Sequence, residues 1–149
     1  MFDSYLGDSF VTTIAASRNQ MAADQRVTDG VRRFRGRKIR RIGEAVVGCA
    51  GSGPAIAKFL RWLEGGKQDD PPKMSKDDEL EAIVLTPAGL FIYDTSLEAE
   101  ECLDPFYAVG TGAEAALGAM HMGADPRRAV EVAALVDNST GGPIDVIDL

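Results

Sequence analysis

The chain has 149 residues, of which 45% are hydrophobic and 26% charged, a composition typical of one globular domain. The net charge of −7 opposes general binding to nucleic acid, and no apolar run approaches the ~20 residues that span a bilayer. Residues 1–11 lack the basic and apolar regions of a signal peptide. We therefore expect a cytoplasmic protein.

Cysteine and histidine are too few for several common kinds of site. Cys49 and Cys102 lie far apart in the sequence, which predicts buried thiols rather than a disulfide framework. The single histidine, His121, would have to carry any Ser-His-Asp triad or multi-histidine metal site by itself. The composition therefore predicts no metal and no cofactor.

The first predicted elements are two strand pairs. Residues 12–17 and 20–24 are apolar and suited to strands, and Arg18-Asn19 between them suits a turn. Residues 37–42 and 45–50 form the second predicted pair.

A helix is predicted next, at residues 54–64, where apolar residues recur at i, i+3, i+4 and i+7 and Pro54 suits the first turn. Residues 67–80 are polar and contain Pro71-Pro72, so we expect a surface loop there. The second half of the chain predicts strands at 82–86, 90–93, 106–109 and 144–149 and helices at 113–122 and 126–136. This order predicts an α+β fold in which helices cover antiparallel sheets.

Four segments carry the functional argument, but none of them is decisive alone. Two threonines at the start of a strand ordinarily reflect β-propensity, and an aspartate at a strand end is ordinarily a turn residue. The segments are TTI at 12–14, MAADQRVT at 21–28, RKIRRI at 37–42 with GCAGSG at 48–53, and GTG at 110–112 with DNSTGG at 137–142. In this order they resemble proteasome β subunits and the peptidase subunit of the bacterial two-ring ATP-dependent protease. The resemblance covers residues 12–149.

The resemblance implies a four-layer αββα sandwich of two antiparallel sheets, the Ntn-hydrolase fold, with threonine peptidase activity. Residues 1–11 would be an extension or propeptide before a domain at 12–149, and Thr12 would be the nucleophile after their removal. A threonine hydroxyl needs an adjacent base. The α-amine of Thr12 would serve, because α-amines titrate near pH ~8.

The resemblance also assigns roles to other residues. Lys38 would lie beside the Thr12 hydroxyl and favour its deprotonated form, and Asp24 would pair with Lys38 and keep it charged. The N–H of Gly51 would stabilise the oxyanion. Five more positions match: Thr111, Asp137 and Thr140 around the amine, Thr28 where the main chain holds the substrate as an added strand, and Cys49 at the floor of an apolar specificity pocket.

The chain departs from the family at three points. Asp24 follows Thr12 by 12 residues, a shorter spacing than usual, and residues 64–81 are too few for the extra helix of larger members. Val11 precedes Thr12 where processed members usually carry glycine. Thr12 could attack the bond that precedes it, but the β-branch of Val11 disfavours the necessary bend. We favour translation from a GTG codon at Val11, after which methionine removal would expose Thr12.

The expected partners are a peptide or unfolded-protein substrate and further copies of the chain. An ATPase is a further candidate partner. Two alternatives stay open. The chain could be a non-catalytic structural subunit that retains residues 1–11, so that the nitrogen of Thr12 stays an amide. It could also bind nucleic acid through residues 32–41, which hold seven of the 16 basic residues, although the net charge argues against this.

Overall fold

A computed structural model describes residues 12–29 and 31–149, so the expectations for residues 1–11 lie outside the described residues. The strands are β1 (Ile14–Ser17), β2 (Gln20–Asp24), β3 (Arg26–Asp29), β4 (Arg32–Arg35), β5 (Ile39–Ile42), β6 (Ala45–Gly51), β7 (Leu80–Thr86), β8 (Gly89–Tyr93), β9 (Glu100–Cys102), β10 (Phe106–Val109) and β11 (Ile144–Asp148). The helices are α1 (Gly53–Glu64), α2 (Ala113–His121) and α3 (Pro126–Val136).

The strands form three antiparallel sheets. One has the order β10-β1-β2-β11, and its central hairpin turns at Arg18-Asn19 as predicted, with Ala15 opposite Ala22. A second has the order β5-β6-β7-β8-β9, which places β5 at an edge. The third is the small pair β3-β4.

Three apolar clusters form the core. The first contains residues of both larger sheets, among them Ile14 and Met21 from one and Ile83 from the other. The sheets approach closely there, because a β-carbon on Gly48 would lie 2.8 Å from the Ile14 side chain and 2.9 Å from the Met21 sulfur. Glycine at position 48 therefore sets the distance between the two sheets.

The other two clusters contain helices. Phe59 and Leu63 of α1 pack with residues of the five-stranded sheet, including Val47. Apolar residues of α2 and α3 pack on Ala15, Ala22 and Ala108 of the four-stranded sheet. The small alanines let both helices lie close to the strands. The described residues thus form an α+β fold with antiparallel sheets and three helices, as expected.

Three strands, β3, β4 and β9, were not predicted from the sequence. All four residues of β4 are exposed, and two of the three residues of β9 are exposed glutamates. Backbone pairing holds these strands at sheet edges, where side chains need not alternate between apolar and polar, so the sequence carries no period-2 signal. The loop expected at 67–80 is confirmed, because helix and strand are both absent from residues 65–79. None of the described helices is long and apolar enough to cross a membrane.

Candidate active site

The Asp24 carboxylate lies at the end of β2, is fully buried and accepts four hydrogen bonds. Its Oδ1 accepts from the Thr12 hydroxyl at 2.6 Å, from the Lys38 ammonium at 2.9 Å and from the Thr13 N–H at 3.1 Å. Its Oδ2 accepts from the Gly141 N–H at 3.0 Å. The fold therefore brings Thr12 and Lys38 to one carboxylate oxygen.

Lys38 is held between two acceptors just before the edge strand β5. Its ammonium binds Asp24 and also donates to the backbone carbonyl of Arg26, and its side chain is 9% exposed. Burial lowers the pKa of Lys38 below its usual value, and the nearby charge of Arg26 adds to this effect, although the Asp24 carboxylate opposes it. Lys38 therefore loses its proton more readily than an exposed lysine.

The backbone of Thr12 is also fixed. The Thr12 carbonyl accepts from the Gly112 N–H at 3.2 Å, and the Thr111 hydroxyl oxygen lies 3.4 Å from the same carbonyl oxygen. Thr12 itself is 1% exposed. Its hydroxyl and its carbonyl are both held, so the side chain has one defined direction.

A second cluster surrounds the Asp137 carboxylate, immediately after α3. Its Oδ2 accepts from the hydroxyls of Thr111 and Thr140, each at 2.6 Å. Thr140 gives its proton to Asp137, so at 2.7 Å it accepts from Thr13. Partial burial opposes ionisation, but the hydrogen bonds from Thr111, Thr140 and Ser139 hold the pKa of Asp137 below its usual range. Thr13 thus links the two carboxylate clusters, since its N–H binds Asp24 and its hydroxyl binds Thr140.

None of the described hydrogen bonds joins Gly51, Cys49 or Thr28 to the carboxylate of Asp24 or Asp137. Gly51 ends β6 with φ of +139°, and a β-carbon there would lie 2.1 Å from the Glu79 carbonyl oxygen, so this position requires glycine. Burial raises the pKa of Cys49 to about 12. Both cysteines are buried thiols, as predicted. Thr28 is half-buried on β3, opposite Arg33.

A cavity of about 230 Å³ opens beside Lys38, between the β5–β6 edge and α1. Its apolar lining includes Val47, Cys49, Ile56 and Leu60. Three arginines, Arg26, Arg37 and Arg40, also line it. Cys49 therefore lines a cavity that Lys38 also lines, together with three arginines that the sequence did not predict there.

Sequence analysis also missed Thr13 and Gly141, both of which donate to Asp24. The paired threonines at 12–13 and the paired glycines at 141–142 were visible, but contacts between backbone N–H groups and a distant carboxylate leave no signal in side-chain identity. Nowhere in residues 12–29 and 31–149 do three His, Cys, Asp or Glu side chains meet as metal ligands would.

No family model and no curated protein sequence matches the chain. Solved structures do match. Eukaryotic HslV from Trypanosoma brucei aligns with a TM-score of 0.75 and 23% identity, over 93% of this chain and 99% of that chain. BPH from Thiobacillus denitrificans aligns with a TM-score of 0.68 and 20% identity, over 93% and 96%. The chain has a proteasome β-subunit-like fold.

A third structure with this proteasome β-subunit-like fold is an Anbu mutant from Hyphomicrobium sp. strain MC1, with a TM-score of 0.67 and 17% identity. It is matched over 93% of this chain and 81% of that chain. The Anbu complex from Pseudomonas aeruginosa, with a TM-score of 0.65, forms a helical assembly. At these identities the likeness concerns the fold.

Proposed function

We propose that the protein is an N-terminal threonine hydrolase that cleaves peptide or other amide bonds. The Thr12 hydroxyl is the nucleophile, and its own α-amine is the base once residues 1–11 are removed. One observation carries the proposal: the Thr12 hydroxyl and the Lys38 ammonium bind the same buried oxygen of Asp24. A hydroxyl, an ammonium and a carboxylate in contact are the parts that activation of a threonine requires.

The reaction begins with a free α-amine at Thr12. While residues 1–11 are attached, this nitrogen is an amide and accepts no proton, whereas a free amine titrates near pH ~8. The hydroxyl proton passes to the amine as the oxygen attacks the carbonyl carbon of the scissile bond. The Gly51 N–H faces the developing oxyanion. The amine then protonates the leaving nitrogen, and water releases the acyl group from Thr12.

Lys38 tunes this proton transfer through its charge. A positive charge next to the α-amine and the hydroxyl lowers the pKa of both, so the amine is neutral near pH 7. Asp24 holds the ammonium in place. Replacing a buried ion pair by apolar residues is often neutral or stabilising, so stability alone does not account for the pair. The desolvation cost of burying this ion pair is explained if Lys38 and Asp24 serve catalysis.

The surrounding residues have supporting roles in the proposal. Thr111, Asp137 and Thr140 position the Thr12 backbone and its amine, because Thr140 accepts from the Thr13 hydroxyl and Asp137 holds the Thr111 side chain against the Thr12 carbonyl. Thr28 lies on the strand whose main chain would hold the substrate. The three core clusters support the αββα layering, with one cluster between the sheets and one between each sheet and its helices.

Self-assembly is part of the proposal. Met122, Leu135 and Val136 are exposed by 88%, 81% and 72%, and they lie at the ends of α2 and α3. A contiguous patch of exposed apolar side chains often marks a protein–protein contact. The helical Anbu assembly agrees with contacts between copies in this fold. The proposed substrate is a peptide or an unfolded protein, and an ATPase is a further proposed partner.

The basic segment 32–41 does not favour the nucleic-acid alternative. Lys38 points inward to Asp24, Arg40 binds Glu64, and Arg41 donates to the carbonyl of Asp148. Three of the seven basic side chains of the segment are therefore bound within the protein at separate places, which leaves fewer of them for a nucleic acid.

The test compares two forms of the protein, one with Met1 and one that begins Met-Thr12. We expect N-terminal sequencing of the short form to read Thr12, and we expect it to hydrolyse fluorogenic peptides. Thr12→Ala in the short form should be inactive. If full-length protein with Met1 intact is as active as the short form, the α-amine is not the base. If the short form hydrolyses nothing, the non-catalytic alternative is favoured.

A further inference from the structure

The cavity beside Lys38 has the size of one side chain. Its volume of about 230 Å³ is below the range of ~300–1,000 Å³ for pockets that hold whole small molecules. Val47, Ile56 and Leu60 give it an apolar interior. An apolar side chain would fill that interior, but it would leave the arginines of the lining unused.

Arg40 is placed to act inside the cavity. It lies two residues after Lys38 along the β5 edge, so the two side chains lie on the same face of the strand. Arg40 of β5 is opposite Val47 of β6, and the Cys49 N–H donates to the Lys38 carbonyl. The Arg40 charge also opposes the effect of burial on the pKa of Cys49. The Arg40 side chain therefore lines the cavity together with Lys38 and Cys49.

The present partner of Arg40 is held weakly. Arg40 binds Glu64 of α1 at 3.2 Å, and each of these side chains is 51% exposed, so solvent screens the pair. Arg26 differs, because its guanidinium donates to the Asn138 carbonyl at 2.9 Å and lies against Gly141. Arg37 is exposed at the same cavity. Arg40 can exchange Glu64 for another carboxylate without loss of a buried contact.

We propose that this cavity binds a glutamate side chain of the substrate and that Arg40 determines this specificity. The two methylenes would pack on the apolar lining, and the carboxylate would bind the Arg40 guanidinium in place of Glu64, with Arg37 as a second positive charge. A guanidinium can bind both carboxylate oxygens at once. A buried carboxylate without such a partner would be costly. The inference rests on the proposed function, since only a hydrolase would place a substrate side chain in this cavity.

Turnover tests the inference in the form that begins at Thr12. Three fluorogenic peptides differ only at the residue before the scissile bond: Glu, Gln or Leu. We expect kcat/KM for Glu to exceed that for Gln by about tenfold, the usual effect of a charged hydrogen bond. Arg40→Gln should lower kcat/KM for the Glu peptide about tenfold and so remove this preference, whereas Glu64→Gln should increase the preference. The control, Arg127→Gln on α3, changes the net charge equally and should keep the preference.

Binding tests the inference without catalysis. Thr12→Ala in the short form is titrated with acetylated, amidated peptides that carry Glu or Gln, and fluorescence anisotropy gives the Kd. We expect about tenfold tighter binding of the Glu peptide, lost in Arg40→Gln. Equal binding of both peptides, or no binding, overturns the inference. Arg40-dependent binding of Glu, together with no hydrolysis by the form that retains Thr12, would overturn the proposed function and keep the binding site.

Discussion

A β-carbon on Gly110 would lie 2.2 Å from the carbonyl oxygen of Thr12. Gly110 also has φ of +98°, so both its conformation and its surroundings require glycine. The close approach places the β10–α2 turn against the Thr12 backbone, where the Gly112 N–H donates to the Thr12 carbonyl.

Gly110→Ala should therefore disturb the site more than backbone strain alone explains. Gly123 provides the control, since its φ is +105° but a β-carbon there meets nothing within 4 Å. We expect Gly123→Ala to cost about 1–3 kcal/mol of unfolding free energy, the usual cost of a strained backbone. Gly110→Ala should cost more and reduce kcat. Equal unfolding free energies in urea would show that the contact with Thr12 is relaxed.

Asp24→Asn should destabilise the protein by about 3–5 kcal/mol, because it leaves the Lys38 ammonium buried without its carboxylate. Adding Lys38→Met removes that charge and should recover part of the loss while leaving the protein inactive. Urea unfolding of the single and double variants gives the coupling free energy. If the loss in the double variant equals the sum of the losses in Asp24→Asn and Lys38→Met, the two side chains are not coupled, and the prediction is wrong.

Lys38→Ala should abolish peptide hydrolysis by the short form and leave the fold intact. Lys38→Arg should fail as well, because a broad guanidinium does not fit between Asp24 and the Arg26 carbonyl. Lys58→Ala is the matched control. The Lys58 ammonium binds the Asp78 carboxylate at 3.0 Å, and neither residue is near Thr12 in the sequence. Activity near wild type in either Lys38 variant would remove Lys38 from the mechanism.

Asp137 predicts a pH dependence of stability. Its pKa is lower in the folded chain than in the unfolded chain, so the unfolded chain binds more protons between the two values. The carboxylate stabilises the fold fully above about pH 4, the usual pKa of aspartate, and this contribution is lost as the pH falls further. The difference in unfolding free energy between wild type and Asp137→Asn should therefore shrink below about pH 4. A difference that stays constant in acid would contradict this assignment.

The sequence predicted the strands and helices that have strong apolar periodicity. β1 and β2 follow from apolar, strand-compatible residues, and α1 follows from its helical spacing. In the structure, α3 begins after Asp125, whose carboxylate accepts from the Arg128 N–H at 2.8 Å. β4 and β9 were missed, because backbone pairing at an edge holds them. Apolar residues alternate along a strand when one of its faces is buried, and β4 and β9 are mostly exposed.

The candidate site was predicted through the order of its motifs. Thr12, Asp24 and Lys38 do meet in the structure, although they are separated by 12 and 14 residues. Spacing alone could not place them together, since each lies in or next to a different strand. The arginines of the cavity escaped prediction for a related reason: the basic segment gives no sign of which side chains point inward, and strand register decides that.

The thiol at the cavity has one more consequence, for how the protein would respond to reagents. With a pKa of about 12 and almost complete burial, Cys49 stays protonated at neutral pH, and a protonated thiol reacts poorly with alkylating agents and oxidants. Iodoacetamide should leave hydrolysis unchanged. A cysteine within reach of the substrate would therefore not make this protein sensitive to redox conditions, and inhibition by a thiol reagent would report that the strands around the cavity had opened.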